Sequence, residues 1–163
     1  MREWWTQRLS SPRAPLGLAV LATALCLPSC LAGFLLDDFG MANLFAEGAP
    51  AWDVFDFRRL GSVPEMREAG FLGWWAADEM QLAFFRPISS LSHALDFALW
   101  PRAAWLMHVE NAFLYGGIVT LAGLFFRRLG LPMLTAGLAV LLFAIDDVHA
   151  QAVGWISNRN ALW

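Results

Sequence analysis

The chain has 163 residues and a formal net charge of −3; 58% of its residues are apolar and only 15% are charged. A soluble domain averages roughly 45–50% apolar and about 25% charged residues, so an ordinary soluble globule is excluded. A disordered chain needs few apolar residues and high net charge, and a nucleic-acid-binding domain needs a basic face; a pI near 5.5 fits neither. Nine Trp and thirteen Phe against one Tyr suit a membrane protein with many interfacial or buried rings.

The elements follow in chain order. Residues 1–15 carry Arg2, Arg8 and Arg13 and read as a cytoplasmic N-terminus. Residues 16–36 hold no charge and predict the first membrane helix, since 1.5 Å per residue carries such a run across roughly 30 Å of hydrocarbon. The run is long for a signal peptide, and Cys30-Leu31-Ala32-Gly33 offers no small-residue cleavage pattern. Pro28 predicts a kink and an irregular outer half. Cys26 and Cys30, four apart, share a helix face and read as small packing residues, not a disulfide.

Asp37 and Asp38 follow at once, so residues 37–102 are read as an extracytoplasmic loop. Its first part is acidic (Asp37, Asp38, Glu47, Asp53, Asp56, Glu65, Glu68, Asp78, Glu79) with Arg58, Arg59 and Arg67 as its bases. Trp52, Phe55, Phe57, Phe71, Trp74, Trp75, Phe84 and Phe85 interleave with these charges, a pattern of short amphipathic helices at a membrane surface. A helix is predicted from Pro87 through Ile88, Leu91, Leu95 and Leu99 to Trp100. Residues 103–126 predict a second membrane helix ending in Arg127-Arg128, and residues 131–145 a short third one ending at Asp146-Asp147. Residues 146–163 read as a second outer loop and the start of a truncated next helix, which makes the chain a fragment of a larger bundle. The fold class expected is all-α: a multi-pass transmembrane helical bundle with a large extracytoplasmic loop between its first two membrane helices.

Four stretches could carry chemistry. Asp37-Asp38 sit where a membrane helix leaves the lipid, where a carboxylate can take a proton from an acceptor hydroxyl; their purely structural role would be to end the helix and set topology. His108 and Asn111 share one face at the outer end of the second helix, and Glu110 points elsewhere. Polar groups there are functional candidates or helix–helix contacts. The loop from Asp146 to Asn160 holds Asp146, Asp147, His149 and Arg159. An arginine can grip a phosphate by paired hydrogen bonds, and the acids with His149 could take a divalent cation; a solvated loop is the structural alternative. Finally, Arg86 stands where a lipid-linked phosphate could meet it, and His93 with Asp96 reads best as a structural pair. No Gly-rich phosphate loop, HExxH, GxSxG or CxxC pattern is present.

In this order the stretches resemble the N-terminal part of multi-pass GT-C glycosyltransferases. The likeness is to the protein O-mannosyltransferase-like group, including members linked to tetratricopeptide repeats and large uncharacterised bacterial relatives. Asp37-Asp38 match the family's carboxylate motif after the first helix. Phe85-Arg86-Pro87-Ile88 through Leu99-Trp100 matches its aromatic-Arg-Pro-Leu stretch, and His108 with Asn111 its His-x-x-Asn. Val148, His149, Ala152, Val153, Trp155, Ile156, Ser157 and Arg159 fall in register with its last loop. There Asp146-Asp147 replace His-Pro and Gln151 replaces a glutamate, so Asp146 or Asp147 would take over that acid or transfer would be lost.

The resemblance implies a bacterial inner-membrane protein that moves a sugar from a polyprenyl-phosphate donor to a protein, lipid or glycan acceptor on the extracytoplasmic face. Asp38 or Asp37 would be the base, and Arg86 and Arg159, helped by His149, would hold the lipid phosphate. It implies no required metal. The alternative is a non-catalytic scaffold or transporter part that keeps the fold. On the enzyme reading, Asp37-Asp38 and the 146–159 loop share one site on one side of the membrane, within about 25 Å.

Overall fold

The computed structural model describes residues 2–163 and all their side chains except those of Arg2, Arg59 and Leu60. The inner-side charge read at Arg2, and the base at Arg59, lie outside the described side chains. The described chain is all-helical; its nearest approach to a sheet is an isolated bridge between Asp56 and Ala83. It divides into two compact units, residues 1–38 with 102–163, and residues 39–101.

The first unit is built on three helices. Helix α1 (Arg2–Leu9) leads into α2 (Ala14–Cys26), which has proline at its start. Pro28 lacks the N–H that an α-helix would use there; the chain continues instead as a 3₁₀ turn over Leu27–Leu31 and reaches Gly33 at φ 70°. The α-helical part thus stops well short of residue 36, where the apolar run ends. The other two helices are α6 (Ala104–Arg128) and α7 (Met133–Ile145); α3, α4 and α5 belong to the intervening segment described below. Helix α2 packs on both α6 and α7, and α6 on α7. Two segments, Ala14–Leu31 and Ala104–Arg128, are long and apolar enough to cross a membrane, with mean hydropathies of 1.9 and 1.4. Helix α7 and the short α8 (Ala150–Gly154) with its preceding turn are bent by 45° and would together make a third.

Small residues let these helices close on each other, as helix pairs in lipid require. A Cβ on Gly116 would stand 2.3 Å from Thr23 Oγ1 of α2. A Cβ on Gly137 would stand 2.2 Å from the carbonyl oxygen of Leu9, a backbone atom that has no rotamer to yield. At one end of the unit the Arg127 guanidinium donates to the carbonyls of Ser11 and Pro12, so the basic end of α6 is tied to the basic N-terminal turn. At the other end the chain leaving α2 meets the start of α6 and the C-terminal turns.

The second unit contains most of α3 (Asp37–Ala46), then α4 (Val63–Glu68) and α5 (Pro87–Leu99). Ser62 caps α4: its hydroxyl accepts from the Glu65 N–H at 3.4 Å while the Glu65 carboxylate accepts from the Ser62 N–H at 2.7 Å. Helix α5 begins at Pro87, where a missing N–H costs nothing. Phe45 stacks on Phe97 at 4.9 Å, and Phe55 lies against His93.

Two outcomes test this packing. Gly137→Ala should destabilise the protein by about 1–3 kcal/mol, read as a lower midpoint of unfolding in detergent. Gly117→Ala, where an added Cβ meets nothing within 4 Å, should leave the midpoint unchanged or raise it. The Ser62 bonds hold the Glu65 carboxyl below the usual carboxylate range. A depressed acid stabilises above its unfolded pKa and loses that contribution as pH falls through its folded one. Hydrogen exchange at the start of α4 should therefore quicken below the usual glutamate range, and Glu65→Gln should remove that acid step.

Candidate functional site

Three separated stretches meet at one end of the first unit. The first, leaving α2, carries Gly33, Leu35 and Asp38. Asp38 is fully buried, and both of its carboxylate oxygens accept backbone N–H groups. Leu35 N–H donates to Oδ2 at 2.9 Å and Ser157 N–H to Oδ1 at 2.7 Å. Leu36, between them, is held at φ 42°. The left-handed region costs a branched residue of order 1–3 kcal/mol, sustained only where its surroundings over-determine it; the bracket that Asp38 forms around Leu35 is such a surrounding. Asp37, one residue earlier, is exposed.

The second stretch is the first two turns of α6. His108 and Asn111 lie on its buried face together with Met107. The His108 Nε2 stands 2.8 Å from the Gly33 carbonyl. A carbonyl only accepts, so Nε2 carries the hydrogen, and Nδ1 is buried without a hydrogen-bond partner. Asn111 uses both ends of its amide. Its Nδ2 donates to the Val153 carbonyl at 3.0 Å, and its Oδ1 accepts from Arg159 Nε at 2.6 Å.

The third stretch is the C-terminal pair of turns, α8 and the 3₁₀ segment Ile156–Leu162. Arg159 projects from it into the protein and is wholly buried. Besides Asn111, its guanidinium donates to the Met107 carbonyl at 3.3 Å through Nη2 and lies 3.3 Å from Glu110 Oε2 through Nη1. Burying a cation is costly unless it is paired and hydrogen-bonded, and here one amide, one carbonyl and one carboxylate share the task. Glu110 is therefore part of the site. Helical spacing sets it off the face of His108 and Asn111, but a guanidinium has donors spread widely enough to bridge both faces.

The structure thus brings together Asp38, His108, Asn111 and Arg159 from the residues singled out by sequence, and the separation of Asp38 from the 157–159 turn is one hydrogen bond. The remaining candidates are placed elsewhere. Asp146 and Asp147 are exposed, and Asp146 Oδ1 accepts from Val148 N–H as the cap of a 3₁₀ turn. His149 stands with its ring 4.5 Å from Phe143 and 5.1 Å from Tyr115. Among the described residues no three His, Cys, Asp or Glu side chains converge to hold a metal ion. Arg86 belongs to the second unit, where its guanidinium lies over the rings of Phe84 at 4.7 Å and Phe55 at 5.0 Å. His93 and Asp96 are both buried on α5 in that unit.

Chemically, the cluster is closed around its own hydrogen bonds, with exposed Asp37 at its edge. The backbone groups that complete it (Gly33, Met107 and Val153 carbonyls, Leu35 and Ser157 N–H) have no sequence signal, because every residue carries them.

Asn111→Leu strips Arg159 of its 2.6 Å bond and should cost at least about 1.5–3 kcal/mol, the range for a hydrogen bond to a charged group. Arg159→Met with Asn111→Leu should cost less than the sum of the two single changes, with a coupling within about 0.5–3 kcal/mol. Unfolding in detergent of the four proteins measures this; additive effects would mean the two side chains do not depend on each other.

No family model matches this chain, and neither a characterised protein nor a solved structure matches it.

Proposed function

We propose that the chain belongs to an integral-membrane glycosyltransferase of the GT-C type, which moves a sugar from a polyprenyl-phosphate donor to an acceptor on the extracytoplasmic face. The observation that carries this reading is the convergence of Asp38, His108, Asn111 and Arg159. They come from three stretches far apart in sequence, and they are the residues through which the chain resembles that family. In the reaction a carboxylate takes the proton of the acceptor hydroxyl. The oxygen attacks the sugar's anomeric carbon, the bond from that carbon to the phosphate breaks, and polyprenyl phosphate leaves with the electron pair. Asp37 is the base on this reading, because it is exposed while both oxygens of Asp38 already accept N–H groups. Asp38 and Arg159 are positioning residues that hold the platform under it. The resemblance assigns the donor's phosphate to Arg86, which belongs to the second unit. The N-terminus is cytoplasmic, the Arg127 end of the first unit faces the same side, and α7 supplies a short third span. No metal enters the reaction.

A second reading has its own support. The donors of Arg159 and the acceptors of Asp38 are taken up inside the protein. A scaffold or transporter part that keeps the fold without transfer would look the same in this cluster.

Transfer from a radiolabelled polyprenyl-phosphate hexose to acceptors in membranes that contain the protein separates the two. Asp37→Asn should lower turnover by about 10²–10⁴-fold, the usual contribution of a general base, with an unchanged unfolding midpoint. Asp38→Asn should lower both turnover and the midpoint. Wild-type turnover in both variants would remove the base, and absence of transfer by the wild-type protein would leave the non-catalytic reading.

A further inference from the structure

Helix α5 is built inside out. Its polar residues Ser89, Ser90, His93 and Asp96 are buried, with His93 and Asp96 at 0% exposure. Phe97 apart, its large apolar residues Ile88, Leu91, Leu95 and Leu99 are the exposed ones, each 51–59% exposed. These four recur at spacings of three and four, so they form one stripe along one face. A helix in water arranges these two faces the other way round. The polar face meets its own unit: the Phe55 ring packs on His93, and at its edge Ser92 Oγ donates to the Ser89 carbonyl. The apolar face keeps more than half of each of its four side chains exposed.

The chain itself indicates what the stripe meets. Only residues 100–103 separate the end of α5 from α6, a segment long and apolar enough to cross a membrane. At roughly 3.3–3.6 Å per residue, the last stripe residue lies no more than about 18 Å along the chain from the first residue of that span. Trp100 and Trp105 flank the join, a residue type that favours the headgroup level. Other large rings of the same unit are turned outward too, among them Phe71, Trp74, Trp75 and Phe85. The stripe carries no charged residue, and α5 has no basic one, so apolar burial rather than attraction to anionic headgroups would hold it.

We infer that α5 lies in the bilayer interface, with Ile88, Leu91, Leu95 and Leu99 in the acyl boundary and its Ser89, Ser90, His93 and Asp96 face turned into its own unit. This is independent of sugar transfer, and it goes beyond the sequence pattern, which gives a stripe without saying which way it faces.

The test uses the whole protein, with Cys26→Ser and Cys30→Ser, reconstituted in phosphatidylcholine vesicles. A single cysteine at Leu91, at Leu95, or at exposed Glu47 as a control is labelled with an environment-sensitive fluorophore. Labels at 91 and 95 should emit to the blue of the label at 47 and be quenched by lipids with a nitroxide near the headgroup end of the chain. Added phosphatidylglycerol or salt should change neither result. Emission at 91 and 95 like that at 47 would overturn the inference by placing the stripe in water. Blue emission without lipid quenching would overturn it by placing the stripe against protein, either this chain or a second copy. Leu91 and Leu95 are read separately, so a fault in folding at one position does not decide the outcome.

Discussion

A buried guanidinium governs the described end of the first unit. Arg159 sits with no exposed surface, at the end of a unit whose core is apolar. An arginine cannot shed its proton to escape such a place, so the protein must surround it with acceptors. The Asn111 amide, the Met107 carbonyl and the Glu110 carboxylate do so, all from the first two turns of α6. That requirement fixes where the C-terminal turns sit. Once they are fixed, the Ser157 N–H reaches Asp38, and Asp38 in turn orders the chain leaving α2. The Asn111 amide uses its other end on Val153, which ties α8 to the same point. Each bond is ordinary; their dependence on one cation makes them a unit.

The same dependence bears on function. A cluster whose partners are internal can hold an exposed carboxylate such as Asp37 in a defined place without touching substrate itself. Catalytic rates fall steeply when a reacting group moves by an ångström, so rigid support for a base has a clear chemical use. A closed polar cluster can equally serve to specify how helices join in lipid, where polar contacts between helices add to packing of small residues. Gly116 against Thr23 and Gly137 against Leu9 show the packing part of that scheme in this chain.

Much of the architecture was legible because lipid imposes few choices. The arginine pair and the second acid pair mark where α6 and α7 end, and Pro28 marks where α2 gives way to a 3₁₀ turn well before the charge-free run stops. The extent of α5 was equally plain from Pro87 and the leucine spacing. Its orientation was not, because periodicity reports a stripe and is blind to what lies against it. In the site, Asp38, His108, Asn111 and Arg159 stood out by residue type and place. Their partners did not, since most are backbone groups. Glu110 lies off the face of His108 and Asn111 as its spacing indicates, and it joins the site through a partner outside the helix.

The central claim is that the stretch after α2 and the C-terminal turn are held together on one side of the membrane. The most direct measurement uses single cysteines at Asp37 and at Asn158 in a Cys26→Ser, Cys30→Ser protein in sealed, right-side-out vesicles, exposed to a membrane-impermeant maleimide. The account requires both positions to be labelled from the outer side before the vesicles are opened. Labelling of one only after opening would place the two stretches on opposite sides and contradict it.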